Sequence, residues 1–93
     1  MTKKLFSYFI KLGFSPDELG EVVDLQPEIE NMEIETLISN VELVISYGYP
    51  RCDISTLIEL NPTFLLLGGS TLKERLDTLT DVEFELKQNP YLI

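Results

Sequence analysis

The chain reads as an all-α protein, a short right- or left-handed helical-repeat array of two helix-turn-helix-3₁₀ units with a truncated C-terminal capping unit. Three observations carry this reading. Apolar side chains recur at steps of three and four along most of the 93 residues, the spacing of helices that each bury one face. Glycine and proline punctuate those stretches where helices stop and turns begin. The stretch that begins at Gly13 also returns, without a gap, 35 residues later.

The first element follows from Leu5, Phe6, Phe9, Ile10 and Leu12, with Gly13 placed to end a helix in the left-handed conformation. Its opening, Met1-Thr2-Lys3-Lys4 before an apolar run, is interrupted by Lys11 and lacks a small-residue cleavage site. It therefore reads as a mature helix over about Lys3–Leu12 and not as a signal peptide. Ser15-Pro16-Asp17-Glu18 is a capping box with proline at the first helical position. The helix it starts carries Leu19, Val22, Val23 and Leu25 on its apolar face and stops near Gln26, because the residue before Pro27 is pushed out of helical geometry. Pro27 to Asn31 is long enough for a single turn. The clearest periodicity lies in Ile34, Leu37, Ile38, Val41, Val44 and Ile45, and Gly48 closes that helix.

From Gly48 the pattern starts again. Gly13 falls on Gly48, Phe14 on Tyr49, Leu19 on Ile54, Val22 on Leu57, Val23 on Ile58, Leu25 on Leu60, Gln26 on Asn61, Pro27 on Pro62, Ile29 on Phe64 and Leu37 on Leu72. A shortened third copy is predicted to open at the box Thr71-Leu72-Lys73-Glu74, with a helix over Leu72–Leu79 and Gly68-Gly69 as slack before it. A further box, Thr80-Asp81-Val82-Glu83, starts the last helix, and Asn89-Pro90 echoes Asn61-Pro62. The single domain 1–93 thus divides into units of about 3–31, 33–67 and 71–93. Each helix pair is too thin to bury its own apolar stripe, so neighbours must share a core.

These residues resemble a known family. Leu12 to Leu19, read as Leu-Gly-Phe-Ser-Pro-Asp-Glu-Leu, is followed by the Val22-Val23 pair and by Pro27, and the second copy runs Tyr47-Gly48-Tyr49 through Leu57-Ile58 to Asn61-Pro62. The pattern is similar to the repeats of the mitochondrial transcription termination factor family (mTERF). The resemblance implies two helices and a 3₁₀ turn per unit, stacked into a curved solenoid that commonly grips nucleic acid.

Charge argues against that last property. The net charge is −9, and from Leu12 to Pro50 every charged side chain is acidic: Asp17, Glu18, Glu21, Asp24, Glu28, Glu30, Glu33, Glu35 and Glu42. Binding to a phosphate backbone rests on Lys and Arg displacing counterions, and such a surface repels it. The single Cys52 can form no internal disulfide, which points to the cytoplasm. No apolar run is long enough to span a membrane.

Chemistry-bearing groupings are sparse. Asp17, Glu21 and Asp24 share a helix face, but without a shaped oxygen-rich loop they read as a solvated face and not a cation site. Cys52 follows Arg51 at a predicted helix start. With no histidine in the chain to serve as its base, it reads as an incidental thiol. No phosphate loop or nucleophile elbow is present, so no enzyme, cofactor or metal is expected. Phe64-Leu65-Leu66-Leu67 stands where the first copy has Glu28-Ile29-Glu30-Asn31. It is either covered by the third unit and Tyr91-Leu92-Ile93 or an exposed patch for a partner or a dimer.

The function expected from the sequence is therefore a non-enzymatic protein-interaction module whose acidic face meets a basic partner, or which self-associates. Candidate partner-binding residues are Glu28, Glu30, Glu33, Glu35, Phe64, Leu65, Leu66 and Leu67. The alternatives are a nucleic-acid-binding domain acting through Lys3, Lys4, Lys11 or Arg51, Lys73, Arg75, and an acidic mimic of DNA.

Overall fold

A computed structural model describes residues 1–93, and every regular element in it is helical. Six α-helices span Lys3–Lys11 (α1), Pro16–Leu25 (α2), Ile34–Ser46 (α3), Ile54–Leu60 (α4), Gly69–Asp77 (α5) and Val82–Gln88 (α6). Four 3₁₀ turns span Pro27–Asn31 (η1), Arg51–Asp53 (η2), Pro62–Leu66 (η3) and Pro90–Leu92 (η4).

Two glycines turn the chain sharply. Gly13 has φ +112° and Gly48 φ +107°, a region that costs an L-residue steric strain. After α1, the amide of Phe14 donates to Phe9 (3.2 Å) and that of Gly13 to Ile10 (3.0 Å). After α3, Tyr49 donates to Val44 (3.4 Å) and Gly48 to Ile45 (2.9 Å). This paired bonding is the Schellman ending, in which glycine frees the chain to satisfy carbonyls the helix leaves open. The Phe9 and Phe14 rings meet edge to face at 5.7 Å across the first corner, the apolar contact that accompanies such an ending.

Three prolines begin 3₁₀ turns. The residues before them, Gln26, Asn61 and Asn89, share extended backbones with φ/ψ of −141/80, −148/78 and −147/97°, as steric conflict with the proline ring requires. Each still donates its amide to the last helical turn at 2.9 Å. Ser15 builds the expected box, accepting from Glu18 N at 3.2 Å while Glu18 Oε1 accepts from Ser15 N at 2.9 Å.

The core runs through the molecule as one cluster, from Leu5 and Phe9 through Leu37, Val41, Val44 and Ile54 to Phe64, Leu72, Leu76 and Leu86. Each fully buried Leu, Ile or Phe removes enough apolar area from water to contribute about 1.5–3 kcal/mol. Two polar side chains join it, Asn40 and Asn61. From α3, Asn40 Nδ2 donates to the carbonyls of Phe64 (3.2 Å), Leu65 (2.9 Å) and Leu67 (2.9 Å), which ties η3 to α3. Asn61 Nδ2 donates to Pro90 O (2.8 Å) and Ile93 O (3.3 Å), which ties down η4.

Several sequence expectations are corrected. Helix α5 begins at Gly69 with Gly68 as its N-cap, so Thr71 lies inside the helix and caps nothing. Gly68 caps in an extended conformation (φ −62°, ψ 147°) open to any residue, and Leu72 and Leu76, four residues apart, share the core face. The last helix is capped by Asp81, one residue later than Thr80. Asp81 accepts from Phe84 N (3.2 Å), and Glu85 Oε2 accepts from Thr80 N and Asp81 N (both 2.9 Å). That register buries Val82 and Leu86 together. Cys52 sits in η2, the 3₁₀ turn that runs directly into α4. Leu25 and Leu60, expected on apolar faces, are 69% and 54% exposed. In both cases the proline turn that follows brings Ile29 or Phe64 into the core instead.

Candidate functional site

Four of the sequence candidates form a continuous acidic string. In η1 the chain turns so that Ile29 points inward, fully buried, and Glu28 and Glu30 stand outward on either side of it. Glu33 occupies the N-cap position of α3 and Glu35 its first turn, where carboxylates are stabilised by the helix dipole. All four are exposed. Glu28 accepts from Gln26 Nε2, and Glu30 is 3.2 Å from the N-terminal ammonium. No lysine or arginine side chain pairs with any of them. The molecule's side-chain ion pairs lie elsewhere: Arg51–Glu42 (2.9 Å), Lys73–Asp77 (2.9 Å), and Lys87 with Glu83 (2.8 Å) and Asp53 (3.0 Å). Such a string can accept several ammonium or guanidinium groups at once, and docking a basic surface would relieve the repulsion among its members.

The other four candidates separate into two pairs. Phe64 and Leu65 are fully buried, and Leu66 and Leu67 are half-buried against the core. The four-residue apolar patch therefore does not exist as a surface. A 3₁₀ turn packed between α3 and α4 presents two successive side chains to the interior, and Asn40 holds the backbone carbonyls that would otherwise be stranded beside them.

Among the remaining acids, the carboxyl groups of Glu18 on α2 and Glu59 on α4 are neighbours. Burial, then hydrogen bonding with and repulsion from Glu18, pushes Glu59 above the ordinary carboxylate range. Hydrogen bonds from the Ser15 backbone and hydroxyl hold Glu18 below it. Asp17, Glu21 and Asp24 are exposed on α2, and no three His, Cys, Asp or Glu side chains are grouped to hold a metal ion. Cys52 is exposed and unpaired. No helix is long and apolar enough to cross a membrane.

One surface feature escaped sequence reasoning as a unit. Between α1 and α3 runs an open groove of about 360 Å³, lined by Lys3, Lys4, Ser7, Tyr8, Lys11, Ile34 and Ile38. None of its three lysines is in an ion pair, although the chain carries 16 acids. Burial raises the pKa of the Tyr8 hydroxyl, with the Glu42 charge adding to the effect, and that hydroxyl has no hydrogen-bond partner. The available signal was the seven-residue spacing of Lys4 and Lys11, which puts them on one helix face. What it did not give was the neighbour across the groove. Comparison of the chain with family models, with curated proteins and with solved structures finds no match.

Proposed function

We propose that the chain is a non-enzymatic protein-interaction module, a helical-repeat array of the mTERF-like kind that offers Glu28, Glu30, Glu33 and Glu35 to a basic partner protein. The observation that carries this reading is the exposed carboxylate string on η1 and the start of α3, which no side-chain cation of the chain neutralises. The two glycine corners and three proline turns support the repeat architecture, since the same local geometry recurs where the sequence copies itself. Rigid helices on both sides of the string hold the carboxylates in a fixed pattern, which lowers the ordering cost of binding. The lone Cys52, which pairs with nothing, supports placement in the reducing cytoplasm.

The test is a pull-down from the native host with the wild-type chain and with Glu28→Lys/Glu30→Lys/Glu33→Lys. Basic proteins retained by the wild type and lost from the variant are the expected result. An unchanged set of retained proteins refutes the reading. A gel shift with duplex DNA at low salt addresses the inherited alternative, because phosphate contacts strengthen there; no shift is expected.

A further inference from the structure

The groove between α1 and α3 carries a second interface. The N-terminal ammonium lies at Glu30, just before α3, and further along α1 Tyr8 lines the same groove as Ile34 and Ile38 of α3, its hydroxyl within the field of Glu42 in the third turn. The two helices therefore run side by side in the same direction. On α1, Lys4 and Lys11 lie seven residues apart, about 10.5 Å along the axis, and both line the groove. Ile34 and Ile38 of α3 form its floor, with Ile38 still 37% exposed. At roughly 100° per residue, Glu35 and Glu42 project next to those isoleucines on the side away from α1, again about 10.5 Å apart. By that helical spacing the face reads, from α1 outward, as a basic stripe, an apolar valley and an acidic stripe.

We propose that this face is a self-complementary dimer interface, with Lys4 and Lys11 of each copy set against Glu35 and Glu42 of the other and the Ile38 side chains meeting across the axis. A two-fold axis lying along the valley exchanges the two stripes and preserves position along the helices. Lys4 therefore meets Glu35 and Lys11 meets Glu42, each pair formed twice, as a closed two-fold contact requires. Any other axis in the plane of the face sets lysine against lysine or shifts the register. The occupant is a second copy because charge complementarity is present within the one surface: lysines without partners on one flank, and on the other Glu35 outside any ion pair and Glu42, which Arg51 holds through both oxygens at 2.9 Å and whose remaining lone pairs can take a second cation. On a molecule 35 × 22 × 20 Å such a face falls at the small end of interface sizes, so the dimer dissociates on dilution. The inference shares Glu35 with the basic-partner reading but does not rest on it, since Glu28, Glu30 and Glu33 take no part in the dimer contact.

Sedimentation of the full chain over a concentration series is the test, read as mass against the 10.6 kDa of one copy. Salt is a poor lever, because each copy carries −9 and screening weakens the lysine–glutamate attraction and the overall repulsion together. Charge reversal separates the two. The wild type is expected to double its mass at high concentration, and neither Lys4→Glu/Lys11→Glu nor Glu35→Lys/Glu42→Lys alone should do so. An equimolar mixture of these two variants should form a heterodimer, because both sets of pairs are then opposite in charge. Lys73→Glu/Arg75→Glu on α5 changes the net charge equally and should dimerise like the wild type. Lys4→Gln/Lys11→Gln, which adds no acid, should weaken dimerisation at least tenfold. The proposal is overturned by a wild type that stays monomeric at every concentration, by reversal variants that dimerise alone, by a mixture of folded variants that stays monomeric, or by a loss as large in the α5 control.

Discussion

The turns η1 and η3 have the same backbone and opposite surfaces. Both start at a proline, both follow a residue with φ near −145°, and both send one large apolar side chain, Ile29 or Phe64, fully into the core. One residue further on they part: Glu30 is exposed and Leu65, its counterpart 35 positions later, is completely buried. Nothing in the local conformation explains this. Turn η3 is packed between α3 and α4, and Asn40 reaches over from α3 to its carbonyls. At the position matching Asn40, α1 carries Leu5, which can make no such bonds. One copy of the turn thus serves the core and the other is free to carry charge.

Exchanging the divergent residues gives the largest expected effect. Leu65→Glu buries a carboxylate within the apolar core and should cost at least about 4 kcal/mol, enough to abolish cooperative thermal unfolding followed by circular dichroism. Glu30→Leu at the equivalent place should change stability by no more than about 0.5 kcal/mol, because the site faces solvent. Equal effects at the two positions would mean that the turns are not distinguished by packing. Next in size is Asn40→Ala, which strands buried carbonyls of η3 and should cost about 2–3 kcal/mol in denaturant unfolding. It should also speed hydrogen exchange in η3 before η1.

Smaller effects test what the two copies share. Gly13→Ala and Gly48→Ala should each cost about 1–2 kcal/mol, the strain of a left-handed L-residue. An added Cβ meets nothing within 4 Å at Gly48, and at Gly13 only Ser55, at an ordinary 3.5 Å. The costs should therefore match, and a large difference between them would show that the corners are not equivalent. The smallest expected effect lies at Glu59, whose counterpart is Asp24. Its pKa is raised in the folded state by burial and by Glu18, so folding favours the protonated form and ionisation at neutral pH opposes it. Glu59→Gln should raise the Tm at pH 7 by about 1–2 °C, since the site is largely solvated. That gain should shrink as the pH falls through the carboxylate range and wild-type Glu59 takes up its proton.

Much of the path of the chain was legible. The Ser15 box, the endings at Gly13 and Gly48 and the turns at Pro27, Pro62 and Pro90 depend on neighbours within a few residues, and each appears where the residue types place it. The errors at α5 and α6 are local too: two plausible caps competed, and burial of Leu72, Val82 and Leu86 chose between them. Of the candidate site, the acidic string could be read directly, because charged side chains on a turn remain in solvent. The fate of Phe64–Leu67 could not, and neither could the pairing of α1 with α3 that sets Lys4 beside Ile38.

By itself, then, the sequence determined where helices start, stop and turn, and that the chain between Leu12 and Pro50 is acidic. These follow from steric limits on glycine and proline, from short-range hydrogen bonding and from counting charges. Only the tertiary structure decided which apolar side chains are covered. Leu25 and Leu60 satisfy a helical pattern and remain exposed, Leu65 breaks the match with its acidic counterpart and is buried, and Asn40 sits in the core because three carbonyls from another segment meet it there. Burial belongs to the neighbours that long-range packing supplies, and no local pattern contains them.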